Sequence, residues 1–268
     1  MVGRAPPGIR EQAKSILRNL NKTMNLQYAS DLHLEFGSKV PFVISPEADA
    51  LAFVGDIHTK PMSLRKFFHR LRRQGCKIPI FYVFGNHEIY GHEFKAIKDE
   101  YVNCLMDVVT ILDNATGYVG DVRILGTTLY SDLNNPLDAI CAAEVVTDFR
   151  VVRYEDHMIT PVDWSREHAH SLGFLERELA KEYHPTVVLT HFVPSMQLVQ
   201  PEFKHSRSNA AFHTELYWLM EKYKPEVWIY GHNHEPHRDM CICDTHVLCN
   251  QWGYPHENFP REVHLVKI

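Results

Sequence analysis

Five short motifs in the sequence carry side chains of the kinds that bind metal ions. Together they offer carboxylate, imidazole and amide groups in numbers suited to two metal ions, since one ion would not need so many ligands. None of the motifs contains cysteine, which argues against a thiolate-held zinc or an iron–sulfur cluster and favours Mn, Fe, Zn, Co or Ni bound through nitrogen and oxygen. The motifs are Asp31-Leu32-His33, Gly55-Asp56, Gly85-Asn86-His87-Glu88, Thr190-His191 and Gly231-His232-Asn233-His234.

A strongly apolar stretch precedes each motif. These stretches are short, rich in β-branched and aromatic residues and almost continuously hydrophobic, as are strands that are covered on both faces. In open α/β sheets, ligands bind beyond the carboxyl ends of the strands, and each motif begins where its stretch ends. We therefore expect one edge of one sheet to gather all five motifs. The predicted strands are residues 26–30, 50–54, 78–84, 186–189 and 226–230.

Glycine stands directly before the first candidate ligand in three motifs, at Gly55, Gly85 and Gly231. A residue without Cβ lets the chain turn sharply off a strand and lets the backbone approach a bound group closely. The glycines therefore favour ligands that are carried on loops.

The order Asp-x-His, Gly-Asp, Gly-Asn-His-Glu, His, Gly-His-x-His resembles the signature of the calcineurin-like metallophosphoesterase superfamily, without a missing ligand. The resemblance extends from about Met24 to the C-terminus, and five ordered motifs are far more specific than any one of them alone. It implies an αββα sandwich, in which two mixed β-sheets pack face to face with helices outside. Periodicity by itself indicates only an α/β protein.

The resemblance also implies seven metal ligands in two groups that share one carboxylate. A shared carboxylate is physically sensible because it offsets the repulsion between two cations that lie roughly 3.5–4 Å apart. The identity of the two metals stays open. The first group is Asp31, His33 and His234, the second group is Asn86, His191 and His232, and Asp56 bridges them.

Phosphoester hydrolysis is the activity that the resemblance implies. Two cations make hydroxide available at neutral pH and neutralise the phosphoryl oxygens, so no protein nucleophile is needed. His87 is expected to protonate the leaving oxygen as general acid, because the pKa of histidine lies near the working pH. Asn86 is expected to contact the phosphate as well, Glu88 to support a ligand or to be structural, and His58 to be a loop residue with at most an indirect contact to the metals.

Length and composition fit an enzyme core, since 268 residues of which 45% are apolar suit one α/β domain with insertions, or at most two small domains. The net charge of −5 gives no basic footprint for nonspecific nucleic-acid binding. No apolar run approaches about 18 residues, so a membrane span is not predicted. The six cysteines include no Cys-x-x-Cys pair and no secretory signal is evident, which predicts reduced thiols in a cytoplasmic protein.

Residues 1–23 stand apart from the domain predicted for residues 24–268. A Pro/Gly-rich stretch at residues 4–8 precedes the apolar spacing of a short amphipathic helix at residues 9–22. Two interpretations stay open: the extension is a peripheral helix, or Met24 is the original start.

Helical and strand patterns alternate through the rest of the chain. Lys224-Pro225 closes one helix and opens a strand, because proline disfavours helical backbone in the residue before it. Helices are predicted at residues 62–74, 93–106, 164–182 and 209–222, and further strands at residues 108–112, 122–129, 245–249 and 263–266.

Substrate specificity is expected to come from segments between the motifs. Residues 131–163 are a polar, irregular stretch that is long enough to form a flap over the metals, and residues 195–209 form a second loop after His191. Arginine forks and imidazoles suit phosphate oxygens, so Arg150 and His205 are candidate substrate contacts beside Asn86 and His87.

Small phosphodiesters are the predicted substrates, ahead of phosphomonoesters. Ser/Thr protein phosphatases continue the second motif into Asp-Arg-Gly, whereas this chain reads Gly55-Asp56-Ile57-His58-Thr59-Lys60. A nuclease acting on nucleic acid is one alternative, although a compact acidic chain lacks the DNA-binding surface that repair nucleases add. A non-catalytic scaffold is another, and the loss of ligands that would mark it is not seen.

Overall fold

Two β-sheets face each other between outer layers of helices in the computed structural model, which describes residues 23–37 and 40–268. The helix predicted at residues 9–22 lies outside the described residues. The strands are β1 (Asn25–Ala29), β2 (Ala50–Val54), β3 (Ile80–Val83), β4 (Thr110–Ile111), β5 (Ala115–Val119), β6 (Val122–Thr127), β7 (Arg153–Tyr154), β8 (His157–Met158), β9 (Thr186–Thr190), β10 (Val227–Tyr230), β11 (His237–Ile242), β12 (Thr245–Asn250) and β13 (Leu265–Lys267). The α-helices are α1 (Pro61–Arg73), α2 (Phe94–Leu105), α3 (Pro136–Val145), α4 (Asp148–Val151), α5 (Pro161–Leu179) and α6 (Tyr217–Tyr223).

Both large sheets are mixed. The first has the strand order β13-β1-β2-β3-β4, and β13 is antiparallel to β1 while the other pairs are parallel. The second has the order β11-β12-β10-β9-β6-β5, with an antiparallel pair at each edge and parallel pairs in between. Strands β7 and β8 form a small separate hairpin. The predicted αββα sandwich is confirmed.

Alternating side chains divide the interior into layers. Along β2, Ala52 and Val54 pack between the two sheets, while Leu51 and Phe53 pack in the layer under the helices. The central parallel strands repeat this alternation, so both of their faces are apolar. This double burial is the reason that the strands read as continuous hydrophobic runs in the sequence.

Three of the four predicted helices are confirmed to within a few residues, as α1, α2 and α5. Helix α1 begins at Pro61. Proline has no backbone N–H, but a residue in the first turn makes no intrahelical hydrogen bond through that group, so no bond is lost. Helix α5 begins with a capping box in which the Thr160 side chain accepts from the Asp163 backbone N–H and the Asp163 side chain bonds back. Of the helices in the described residues, none has the combination of length and hydropathy needed to cross a membrane.

The fourth predicted helix, at residues 209–222, is wrong in its first half. A 3-10 turn at Arg207–Ala211 comes first, and α6 begins only at Tyr217. The backbone N–H groups of Thr214 and Leu216 donate to carbonyl oxygens of the segment after β9, at 3.0 and 2.9 Å. Because these bonds tie the chain to a neighbouring segment, it does not form helical bonds there.

Two edge strands, β5 and β11, were not predicted. Strand β5 contains Gly117, and the first five of the six residues of β11 alternate between exposed and half-buried. Edge strands bury less apolar surface than central strands, so their sequences carry a weaker signal. Both strands are fixed by tight connections to antiparallel partners.

The flap predicted at residues 131–163 is more regular than expected, since it contains α3, α4 and the β7–β8 hairpin. The Asn135 side chain accepts from the backbone N–H groups of Leu137 and Asp138 and so caps α3. Asn-Pro at residues 135–136 and Thr-Pro at residues 160–161 are helix-start signals. The prediction of an irregular stretch was wrong because it left these two helix-start signals out of account.

Candidate metal centre

The five motifs meet in one crevice where the two sheets end. Asp31, Asp56 and Asn86 follow β1, β2 and β3 of the first sheet, whereas His191 and His232 follow β9 and β10 of the second. The expectation of one edge of one sheet is therefore wrong. Strands β9 and β10 pair with each other and with β6 and β12, so their ligands come from the opposite sheet.

Five of the candidate ligands have left-handed backbone although none of them is glycine. The φ angles are 54° at Asp31, 44° at His33, 54° at Asp56, 79° at His232 and 49° at His234. Such conformations cost roughly 1–3 kcal/mol each and persist where the surrounding structure imposes them. Five of the thirteen non-glycine residues with positive φ in the described part of the chain are therefore candidate ligands.

Two glycines allow the loops to approach one another. Gly55 has φ of +84°, and a Cβ there would overlap the imidazole of His191. A Cβ on Gly85 would overlap the Asp56 carboxylate. Both positions therefore need glycine because a ligand side chain occupies the space of the missing Cβ.

The first predicted group is brought together closely. His33 Nε2 lies 3.1 Å from His234 Nε2, and His234 Nε2 lies 3.7 Å from Asp31 Oδ1. Ligand atoms of Asp31, His33 and His234 all lie within 4.8 Å of one another, a spacing that could hold a metal ion. Two imidazole nitrogens that face each other need a cation or a proton between them, so this donor set fits a metal.

The second predicted group is equally compact. His191 Nε2 lies 3.2 Å from Asn86 Oδ1 and 3.4 Å from Asp56 Oδ1. Asp56, His191 and His232 form another cluster whose ligand atoms lie within 4.8 Å of one another. Imidazole nitrogen with carboxylate and amide oxygen is a donor set that suits divalent transition metals.

Asp56 lies between the two groups. Its Oδ1 faces His191 at 3.4 Å, and its Oδ2 lies 3.9 Å from the Nε2 atoms of both His33 and His87. Burial raises the pKa of this carboxyl group, but His191 and then His87 and His33 outweigh burial and hold the pKa well below its ordinary value. The site therefore keeps a carboxylate at the position that is shared by both groups.

Three of the histidines have their other ring nitrogen held by an acceptor. His33 Nδ1 contacts Glu35 Oε1 at 3.2 Å, and His234 Nδ1 contacts Glu257 Oε2 at 2.7 Å. His191 Nδ1 contacts the backbone carbonyl of Val54 at 2.9 Å. These acceptors take the Nδ1 proton and leave the Nε2 lone pair directed into the crevice, which is the usual arrangement around metal-binding histidines.

His232 is held differently, because its ring lies against those of Phe192 and Phe212, with centroids 4.0 and 5.1 Å away. Its buried Nε2 atom has no hydrogen-bond partner among the described residues. Burial lowers the pKa of His232 well below its ordinary value, and the neighbouring His191 lowers it further. The ring is therefore a neutral imidazole, the form that can donate a lone pair to a metal.

His87 lies at the edge of both groups. Its Nδ1 lies 3.3 Å from Glu35 Oε1, its Nε2 lies 3.2 Å from the Tyr254 hydroxyl, and its ring stacks on Tyr90 with centroids 4.3 Å apart. Burial lowers the pKa of His87, but Asp56 and Glu35 outweigh burial and raise it to about 9. A histidine that keeps its proton at neutral pH can act as an acid.

Glu88 ties the motif loops together. Its carboxylate accepts from the backbone N–H groups of Gly85, Asp56 and Ile57 at 2.8, 3.0 and 2.8 Å. The side chain is fully buried and belongs to none of the ligand clusters. His58 is likewise outside these clusters, and its ring accepts from the Lys60 backbone N–H at 3.3 Å.

Asn86 is oriented by residues of the 131–163 segment and of its own loop. Its amide nitrogen donates to Asp148 Oδ2 at 3.2 Å and to the Tyr90 hydroxyl at 2.9 Å, and Tyr90 also donates to Asp148 at 2.7 Å. Burial raises the pKa of Asp148 to about 6, against the lowering effect of these two hydrogen bonds. With its nitrogen fixed in this way, the amide directs its oxygen toward His191.

The structure does not bring Arg150 or His205 to the ligand groups. The guanidinium of Arg150 donates to the backbone carbonyl of Glu144 on the surface. His205 lines a second, more open cavity beside Arg207 and Glu215. Neither side chain lines the cavity that opens from the ligand groups.

Sequence reasoning missed several residues that support the ligands. Glu35 carried a signal, because it continues the alternation of Asp31-Leu32-His33 by two more residues. Tyr254 and Glu257 carried none, since they lie in an irregular stretch more than 20 residues after His232, and Asp148 lies in the segment interpreted as irregular. Their roles depend on distant parts of the chain meeting.

The family model for calcineurin-like phosphoesterases matches residues 28–236, which span all five motifs. The chain belongs to this family. Members typically bind two divalent metals, and the His/Asp clusters described above could hold them. The chain is thus a member of a metal-dependent phosphoesterase family, as its motifs predicted.

Solved structures of similar fold include the phosphopantetheinyl hydrolase of Mycobacterium tuberculosis, with a TM-score of 0.72 and 21% identity over 91% of this chain and 96% of that one. A protein of Thermus thermophilus superposes with a TM-score of 0.54 and 16% identity over 91% of this chain and 99% of that one. At these identities the likeness shows the fold alone. No curated protein matches the sequence.

Proposed function

We propose that this protein is a dinuclear metal-dependent hydrolase that acts on small phosphodiesters in preference to phosphomonoesters. The observation that carries the proposal is the position of Asp56, whose two carboxylate oxygens face the two separate ligand groups at 3.4 and 3.9 Å. A carboxylate placed in this way suits a pair of ions rather than one.

Seven residues would hold the two ions. When bound, the ions would supply hydroxide at neutral pH and neutralise charge on the phosphoryl oxygens. The metals stay unspecified among Mn, Fe, Zn, Co and Ni, because nitrogen and oxygen donors suit all of them. Asp31, His33 and His234 would hold one ion, Asn86, His191 and His232 the other, and Asp56 both.

His87 would act as the general acid. In the proposed hydrolysis the oxygen of a hydroxide would form a bond to phosphorus, the bond from phosphorus to the leaving oxygen would break, and the proton of His87 would pass to that oxygen. Contacts with Glu35 on one side and Tyr254 on the other fix the ring for this transfer, at 3.3 and 3.2 Å. Asn86 would both hold an ion and contact the phosphate.

The preference for diesters is supported by space beside the ligand groups. A cavity of about 570 Å³ opens from Asp56, Asn86, His87, His232 and His234. This volume lies in the range of small-molecule sites and leaves room for a second ester group. The net charge of −5 and the complete set of ligands favour a small-molecule enzyme over a nuclease or a scaffold. The predicted location of the protein stays the cytoplasm.

Metal analysis combined with two substrates tests the proposal. Wild type loaded with Mn²⁺ should bind two ions per chain and cleave bis-p-nitrophenyl phosphate faster than p-nitrophenyl phosphate. Asp56→Ala should lose metal and activity together, because it removes the carboxylate common to both groups. Asp121→Ala, which removes an exposed aspartate in the turn before β6, is the matched control and should behave as wild type. Full activity in Asp56→Ala would refute the proposed centre.

A further inference from the structure

The cavity beside the ligand groups has more apolar than polar surface, with amide and hydroxyl side chains among the residues that line it. Trp164, Val193 and Val199 are buried in its interior, while Phe203 is half exposed. Several of the candidate ligands line the same cavity. A molecule that enters with its phosphate toward the ligand groups therefore lays the rest of its length against apolar and aromatic side chains.

No lysine or arginine lines this cavity among the residues that the structure describes. The charged side chains there, apart from the candidate ligands and His87, are the carboxylates of Asp148 and Glu257. A second phosphate on the substrate would find no cation beyond the ligand groups and would face like charge. The cavity wall therefore disfavours substrates that carry a second negative charge.

The cations of the nearby loop face elsewhere. Lys204 and Arg207 line the second cavity, where Arg207 pairs with Asp138 at 3.1 Å. The two cavities share only Ser206 and Asn209, which are uncharged. The fold of this loop therefore keeps its positive charges away from the first cavity.

One buried acceptor in the cavity wall lacks a partner. Asp148 is 2% exposed, its Oδ2 accepts from Asn86 and Tyr90, and its Oδ1 has no hydrogen bond within the described residues. An unpaired buried carboxylate oxygen is costly, and since Asp148 lines the cavity, a donor on a molecule bound there would satisfy this oxygen once the side chain turned it toward the cavity.

We propose that this cavity receives the alcohol part of a phosphodiester that carries no second charge, is apolar along its length and bears a hydrogen-bond donor such as an amide N–H or a hydroxyl. The proposal rests on the proposed function, since it assumes that the phosphate lies at the two ligand groups. It excludes alcohols that carry further phosphates, such as nucleoside polyphosphates.

Three p-nitrophenyl diesters with the same leaving group test the substrate class. Their second alcohols are methanol, 3-acetamidopropanol, and propanediol that carries a terminal phosphate. With Mn²⁺-loaded wild type, kcat/KM should be about tenfold higher for the acetamidopropyl ester than for the methyl ester, and about tenfold lower for the phosphorylated ester than for the methyl ester.

A positive charge placed in the cavity should change the ratio of kcat/KM between the phosphorylated and the methyl ester. Phe203→Arg adds a guanidinium at a half-exposed lining position, and should improve the phosphorylated ester by about tenfold relative to the methyl ester. Val162→Arg is the matched control, because Val162 is an exposed apolar residue of α5 outside the cavity, and the same charge there should leave this ratio unchanged.

The outcomes separate this proposal from the proposed function. Turnover of the methyl ester with equal or better turnover of the phosphorylated ester would overturn the substrate class and leave the phosphodiesterase activity standing. An unchanged ratio of kcat/KM between the phosphorylated and the methyl ester in Phe203→Arg would overturn the cavity as the binding place. No turnover of any of the three esters would overturn the proposed function, and this proposal with it.

Discussion

The two ligand groups of the crevice are anchored by different chemistry. In the first, His33 and His234 are held by the carboxylates of Glu35 and Glu257. In the second, His191 is held by a backbone carbonyl and His232 by two aromatic rings. A carboxylate partner makes an imidazole a stronger donor than a neutral partner does. The difference indicates that the first group binds its ion more tightly and the second group exchanges its ion more easily.

The largest expected effect concerns His87, which shares Glu35 with the first group. His87→Ala should keep both ions and lower kcat by about 10²–10⁴-fold on diesters with poor leaving groups, because they need a proton in the transition state. With p-nitrophenolate as leaving group the loss should be much smaller. Steady-state kinetics on an alkyl and a nitrophenyl diester measure the difference.

The control for this prediction is His170→Ala, which removes an exposed histidine of α5. It should match wild type on both substrates. An equal loss on good and poor leaving groups in His87→Ala would contradict the role of His87 as the acid and would separate it from the first group.

Removal of the ions should reveal the two groups separately. A chelator titration of the loaded protein should release metal in two steps, first from the weaker second group. Complete removal should lower the free energy of unfolding by about 2.7 kcal/mol for a group whose Kd lies about 100-fold below the free ion concentration, and by more for a tighter group. Metal analysis and calorimetry follow the two changes. Release in one step would mean that the groups do not differ in affinity.

Glu257→Gln weakens the anchor of the first group alone. The amide keeps the size of the side chain but removes its charge, so the affinity of the first group should fall by about 10–100-fold while that of the second stays near wild type. Isothermal titration with Mn²⁺ measures both affinities. Glu262→Gln, an exposed change in the same C-terminal stretch, is the control, and a uniform loss from both groups in Glu257→Gln would argue against separate anchoring.

The smallest expected effect is in the second group. Phe212→Leu removes one of the two rings against His232, and since Phe212 is partly exposed we expect a change of only about 0.5 kcal/mol in the affinity of that group. The same titration detects it. A loss as large as that of Glu257→Gln would show that ring packing anchors an ion as strongly as a carboxylate does.

Much of the fold could be predicted from the sequence where burial is uniform. The central strands before the five motifs read clearly because both faces of each are apolar, and α1, α2 and α5 read clearly because they have one apolar face. The edge strands β5 and β11 and the start of α6 could not be predicted in this way. Their backbone bonds go to partners that the local pattern does not encode.

The sequence by itself determined the family and the seven candidate ligands, because each motif is local: a strand, a turn and one or two polar side chains. Only the tertiary structure decided that the ligands come from two sheets, and that Glu35, Glu257 and Asp148 support them. The physical reason is that a hydrogen bond across the crevice depends on how the sheets pack. The local sequence around either of the two hydrogen-bonded residues does not reveal how the sheets pack.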